Sequence, residues 1–386
     1  MSTLAPHPFP ARMAPELALR ALECQPAGSV VLDPMCGSGT VLRTALIAGH
    51  QAIGVDMDPL AVLMARVWTS HRSATGLAQA AHEIVNEAAG LQAEDIHLPW
   101  IDDDPETKKF IKFWFAESQL SDLRKISFLI ERHSGQLKDS LQLSLSRIVI
   151  TKKRGASLAH DVSHSRPHRV GTINDFDVLG GFRKAATQIE HRLLAELPNE
   201  ASVRLGDARG MPFMQSGSVD LVVTSPPYLN AIDYLRGHRM ALVWLGHSVG
   251  GLRDIRGTSV GAERGLKGDD ALEDLVVDTD VDSLPQRTLG ILYRYAQDMK
   301  DVAAELHRVL KPSSPAVLVV GNSTVRGTFV DNASVVRRAS EQLGFVTQDI
   351  SERDLPSNRR YLPPPTSAGE ALDQRMRKEV VLTIRK

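Results

Sequence analysis

Residues 30–56 read VVLDPMCGSGTVLRTALIAGHQAIGVD, and no other stretch narrows the possible folds as much. A short β-branched run ends in Asp33, a glycine-rich turn follows, a helical pattern covers 39–49, and a second apolar run ends in Asp56. Gly37 and Gly39 permit positive φ and close backbone approach, and Thr40 lies in the first helical turn. The alternation continues along the chain. Further strands are expected at 202–207, 218–224, 315–320, 345–350 and 379–385, and further helices at 13–24, 59–70, 176–197, 288–310 and 332–343. Such alternation predicts an α/β fold with a mainly parallel sheet and helices on both faces.

Two stretches interrupt the pattern. The gap between residues 71 and 200 is too long for one crossover, and its middle is amphipathic. The expected organisation is therefore a sheet-forming domain from 1–70 and 198–386, with a helical insertion at 71–197 as a candidate recognition region. A second, mobile insertion is expected at 248–287, because residues 268–286 carry seven acids and no base.

The net charge of −1 hides a basic loop at 151–172. There Lys152, Lys153, Arg154, Arg166 and Arg169 outnumber Asp161, which predicts contact with nucleic-acid phosphates. His160, His164 and His168 share a spacing of four. Pro167 breaks the helix such a face would need and no cysteine completes a site, so no metal is expected. Two cysteines, Cys24 and Cys36, argue for a reducing compartment. Neither a signal-peptide pattern nor an apolar run of about 18 residues is visible, so a cytoplasmic protein without a membrane partner is expected.

Asp33 and Asp56 end strands, and Asp207 closes a third in "RLGDAR". A carboxylate at the first position repels phosphate and suits a cationic amine. The second lies where an acidic residue accepts from ribose hydroxyls, and the third is placed for an adenine amino group. Each aspartate alone is equally explained as a helix cap. Together, beside "DPMCGSGT", they describe a ligand with amine, ribose and adenine but no phosphate, which is S-adenosylmethionine.

The segments "HPFPARM" (7–13), "DPMCGSGT" (33–40), "GVDMDP" (54–59), "GDAR" (206–209) and "TSPPY" (224–228) resemble the ordered motifs of amino-group DNA methyltransferases, most closely the cytosine-N4 branch. The resemblance implies a doubly wound, seven-stranded, mainly parallel Rossmann-like sheet with a reversed last strand. It implies that Phe9, Asp33, Pro34, Gly37, Ser38, Gly39, Thr40, Asp56, Met57, Asp207 and Ala208 line the cofactor.

"VVTSPPYLNAIDY" (222–234) carries the expected chemistry. Two prolines remove two N–H donors and leave carbonyls free to accept. An exocyclic amine is a poor nucleophile until its N–H groups are bound and its lone pair is released from the ring. Ser225 and Pro226 are the expected acceptors, Pro227 keeps the turn rigid, and Tyr228 stacks on the base. The base must be flipped out of a duplex or already unpaired. Asp233, Tyr234 and Arg236 follow directly and either hold the flipped nucleotide or belong to an ordinary amphipathic helix.

The leading expectation is methyl transfer to cytosine N4 in duplex DNA at a specific site. Adenine-N6 methylation, RNA base methylation and a catalytically inactive binder of S-adenosylmethionine are the alternatives. No endonuclease signature is visible, so a restriction partner is expected as a separate chain, and the oligomeric state is not legible.

Overall fold

Strands form where β-branched residues alternate between two apolar surfaces. In the computed structural model, seven runs pair into one sheet: β1 (Val30–Asp33), β2 (Gln51–Asp56), β3 (Ser202–Leu205), β4 (Leu221–Thr224), β5 (Pro315–Gly321), β6 (Val346–Asp354) and β7 (Lys378–Arg385). The described residues are 5, 7–8, 13–70, 76–151, 154–160, 167–193, 197–227, 229, 233–262, 265–325, 328–355 and 378–386. The spatial order is β6-β7-β5-β4-β1-β2-β3. Every pair is parallel except those of β7, which runs antiparallel to both β5 and β6. The seven expected strands and the reversed last one are all present. Several boundaries differ: β4 starts only at Leu221, β6 runs on to Asp354, and β3 stops at Leu205, because Asp207 turns back to bridge with Gly210.

Side-chain alternation sorts the core into two layers. Val31, Leu221, Val223 and Val317 face α1 (Pro15–Leu22) and α2 (Thr40–Ile47), and α2 also packs against α3 (Pro59–Thr69). Leu32, Val222, Ala316 and Leu318 join the opposite core cluster.

Between β2 and β3 lie α4 (Leu77–Ala88), α5 (Pro99–Asp102), α6 (Pro105–Trp114), α7 (Glu117–Ile130), α8 (Gly135–Val149) and α9 (Val178–Arg192). Their apolar faces, with Leu77, Leu123, Leu141 and Phe182, share one core with Met64 and Val67 of α3. Trp244 joins the same core, just after α10 (Tyr234–Leu242), and meets Phe115 edge-on at 5.1 Å.

The acidic stretch read as a mobile insertion carries two helices, α11 (Val249–Thr258) and α12 (Asp270–Val276). Its acids face solvent while Leu272, Leu275 and Val276 are buried with Leu292 and Tyr295 of α13 (Gln286–Val309). Asp278 receives two bonds from Arg338 of α14 (Asn332–Glu341), at 3.0 and 3.1 Å. The apolar positions 272, 275 and 276 follow helical spacing within an acidic composition, and composition alone conceals them.

Chain direction positions the site. The chain steps outward from β1 to β2 to β3, then returns on the other side of β1 at β4. The carboxyl ends of β1 and β4 thus flank the topological switch point, where open α/β sheets form a ligand crevice. Gly39, at the start of α2, has φ +85, and an added Cβ would meet the Ala65 backbone at 3.1 Å. Gly39→Ala should destabilise the fold by about 1–2 kcal/mol from the left-handed backbone alone. A denaturant midpoint equal to the parent's would refute this.

Candidate active site

The turn after β1 is tied to the end of β2 by backbone bonds. Cys36 N donates to Val55 O at 2.9 Å, and Gly37 N donates to Asp56 Oδ2 at 2.8 Å. Asp56 Oδ1 accepts from Asp58 N at 2.9 Å. The Asp56 carboxylate therefore braces the glycine-rich turn, a structural task its strand-end position does not reveal. Gly206 N donates to Asp56 O at 2.9 Å, joining the end of β3 to the same corner. Gly54 lies beneath the turn, where a Cβ would meet Cys36 Sγ at 3.1 Å. Cys36 fills that space, and burial first, then Asp56 and Asp33, push its thiol up, the opposite of a nucleophilic cysteine.

Asp33 is 3% exposed. Its Oδ1 accepts from Thr224 Oγ1 at 2.7 Å and from Met35 N at 3.3 Å, while Oδ2 has no partner among the described residues. Burial pushes its pKa up to about 7, against the lowering effect of the Thr224 and Met35 bonds, and Asp56 adds a further rise. Asp56 is raised to about 6, by burial and then by Asp58. Two carboxylates reluctant to ionise, one with a free oxygen, form a corner that a cation would relieve and a phosphate would not.

The structure thus brings together Asp33, Pro34, Gly37, Ser38, Gly39 and Thr40 on the turn and helix start with Asp56 and Met57 at the end of β2. Pro34, Ser38 and Thr40 are buried, and Gly37 and Met57 are partly exposed.

Asp207 and Ala208 sit on the neighbouring turn, with Ala208 buried. The Asp207 carboxylate is held by Arg209, whose Nε lies 3.0 Å from Oδ1 and whose Nη2 lies 2.6 Å from Oδ2. Arg209 Nη1 also reaches Asp298 Oδ1 of α13 at 2.6 Å. The expected acceptor for an adenine amine is therefore already engaged on both oxygens by a guanidinium. Nothing in "GDAR" signals this, because Asp298 is 89 positions from Arg209.

At the end of β4, Ser225 Oγ donates to Val319 O at 2.8 Å. Its proton is committed to a backbone carbonyl, so the hydroxyl oxygen presents lone pairs to anything beyond. Pro226 is buried and Pro227 partly exposed. Tyr228, Phe9, Lys152 and Lys153 lie outside the described residues.

Asp233 caps α10 by accepting from Arg236 N at 3.2 Å, and it pairs with Arg256 Nε at 2.7 Å and Arg236 Nε at 3.3 Å. Tyr234 has its ring 6.1 Å from that of His238. His238 Nδ1 lies 2.5 Å from Asp58 Oδ2, while Asp58 Oδ1 caps α3 by accepting from Leu60 N at 2.9 Å. This pair ties the helix after "TSPPY" to the "DMDP" segment, and sequence reasoning missed it. An aspartate before a proline at a helix start was the available sign, and it pointed only to the cap.

Arg154 lies apart on the insertion, at the surface, and pairs with Asp175 at 3.2 Å. His160 and His168 face each other across a short antiparallel ribbon. Among the described residues no group of three or more His, Cys, Asp or Glu could hold a metal, and no helix is long and apolar enough to cross a membrane.

No family model matches the chain. Over 358 residues it is 24% identical to the Type II methyltransferase M.MvaI of Kocuria varians, covering 83% of this chain and 77% of that protein. It is 23% identical over 381 residues to the Type II methyltransferase M.AvaI of Anabaena variabilis, covering 83% and 74%. Among solved structures, a SAM-dependent methyltransferase from Methanosarcina mazei overlaps 94% of each chain at 10% identity, with a TM-score of 0.34.

Proposed function

We propose, on the premise that the chain is a homologue of the Type II methyltransferases, that it transfers a methyl group from S-adenosylmethionine to an exocyclic amine of DNA, with cytosine N4 as the target. The observation that carries this reading is the pairing of two motif ends at the carboxyl edge of neighbouring strands. The Asp33 corner and the Ser225 hydroxyl sit at the ends of adjacent strands, β1 and β4, joined by the Thr224–Asp33 bond.

The residues fit the cofactor. Asp33 Oδ2 is free to accept from its amine, and the raised pKa values of Asp33 and Asp56 favour a cationic occupant. Gly37 and Gly39 let the backbone approach closely. Its sulfonium supplies an activated methyl group when bound.

The chain's own residues would do the rest. Ser225, oriented by Val319 O, accepts one amine N–H, and the Pro226 carbonyl accepts the other. Both bonds favour pyramidal nitrogen and free its lone pair. Pro227 holds these acceptors still, and Tyr228 stacks on the flipped base. The first residue of "SPPY" carries the preference for cytosine over adenine, by its resemblance to the N4 branch.

DNA from cells expressing the protein, digested to nucleosides and analysed by mass, should contain N4-methylcytosine that the parent cells lack. N6-methyladenine in its place would overturn the target base. Modified nucleosides in RNA alone would overturn the substrate.

A further inference from the structure

The most conspicuous unused charge lies on α10, just beyond the "TSPPY" segment. Three arginines elsewhere show the usual matching: Arg209 holds Asp207 and Asp298, Arg308 holds Glu305, and Arg338 holds Asp278. Around Asp233 the count fails. Arg256 and Arg236 share that one carboxylate, at 2.7 and 3.3 Å. Arg239, one turn further along α10, makes no ion pair or side-chain hydrogen bond among the described residues, and its Nε is buried without a partner. Its guanidinium lies over the Phe110 ring of α6 at 5.2 Å. Burial first, then Arg256 and Arg236, lower its pKa, with Asp233 opposing. Two guanidiniums thus share one carboxylate while a third, one turn along α10 from Arg236, packs on an aromatic ring. A further anion would relieve this arrangement.

We propose that Arg239, with Arg236 and Arg256, forms a binding site for a backbone phosphate of the DNA strand that carries the target base. The site rests on the functional reading above and extends it. A planar guanidinium presents a fork of donors that matches phosphate oxygens, and a partly desolvated one binds more strongly than one in water. The ring of Phe110 holds Arg239 in place from below, and Asp233 orients the other two. The position also suits the task. A phosphate gripped at the start of α10 would hold the strand next to the acceptors of Ser225 and Pro226 while the base swings out. Basic character continues along α6, where Lys109 and Lys112 are exposed and Phe113 carries Arg169 over its ring at 4.9 Å.

The test is the salt dependence of binding to a short DNA duplex. Arg239→Gln should reduce the slope of log affinity against log salt by about 0.9, the value for one lost phosphate contact, while S-adenosylmethionine affinity and melting temperature stay parental. Arg239→Lys, which keeps the charge, should restore most of the slope. Where Arg239→Gln lowers the melting temperature, Arg236→Gln, at a partly exposed position of the same site, gives the same readout. A parental slope in a folded Gln variant overturns the site, as does a loss of slope that Arg239→Lys fails to restore. A slope that falls with duplex RNA and not with DNA overturns the assignment to DNA. Methyl transfer by the parent is measured alongside. Its absence with an intact slope effect counts against the functional reading and not against the phosphate site.

Discussion

Ser225→Ala should lower kcat by on the order of 10²–10³ and leave S-adenosylmethionine affinity unchanged, judged from the loss of single preorganised groups in oxyanion holes. The hydroxyl's proton goes to Val319 O at 2.8 Å, which leaves its lone pairs free to accept. Alanine keeps the strand end and the two prolines, and removes only that acceptor. Loss of the bond to Val319 O leaves one carbonyl of β5 short of a partner, a modest cost to stability of about 1 kcal/mol. The fold should therefore survive. Single-turnover methylation of a duplex substrate separates the outcomes. A variant with parental kcat would place the acceptor elsewhere and remove the chemical role assigned to "TSPPY".

Asp33→Asn should weaken S-adenosylmethionine binding by about 1.5–3 kcal/mol, the range for hydrogen bonds involving a charged group. The variant keeps an oxygen for the Thr224 hydroxyl and the Met35 N–H, so what disappears is the negative charge. The pH dependence supplies a second signature. Burial raises the Asp33 pKa from 3.8 to about 7, so the folded protein holds this proton more tightly than the unfolded chain. The raised value favours folding at acid pH, and that contribution is lost as pH climbs from the ordinary value to about 7. A cationic amine needs the ionised form, so cofactor binding should strengthen as pH rises through that window. In Asp33→Asn both dependences should flatten, leaving only the smaller contribution of Asp56. Calorimetry and denaturant titrations across pH test both. An Asn variant with parental affinity and parental pH dependence would sink the amine-binding role.

What could be read in advance and what could not divide along sequence separation. The strand ends at Asp33 and Asp56, the turn at Gly37 and Gly39 and the rigid corner at Pro226 and Pro227 are local features. Alternating burial and backbone restriction announce them within a few residues. The expected acceptor role of Ser225 is likewise carried by the residues beside it. By contrast, the Thr224 hydroxyl that orients Asp33 lies 191 positions away, and the His238 ring against Asp58 lies 180 away. Asp207 looked like an available acceptor because "GDAR" places an arginine two residues on without saying that it folds back and also reaches Asp298. The basic loop drew attention by density of charge, yet of its described members Arg154 is matched by Asp175 and Arg169 lies over the Phe113 ring. Arg239 drew none, since a single arginine in an amphipathic helix is unremarkable until its neighbours are counted in space.

The sequence by itself determined the α/β class, the seven strands, the reversed direction of the last strand through its family resemblance, and the order of motifs at strand ends. These follow from residue period and turn chemistry, which act over a few bonds. Only the tertiary structure decided that β4 returns beside β1, so that the Ser225 corner and the Asp33 corner lie at the carboxyl ends of neighbouring strands. It alone decided which charges are matched. Asp56 is spent on bracing the turn, Asp207 is held by Arg209, and Arg239 packs on an aromatic ring with no ion pair among the described residues. The reason is physical. Charge pairing depends on distances of a few ångströms between residues whose separation along the chain is set by the winding of the sheet, and no local pattern encodes that distance.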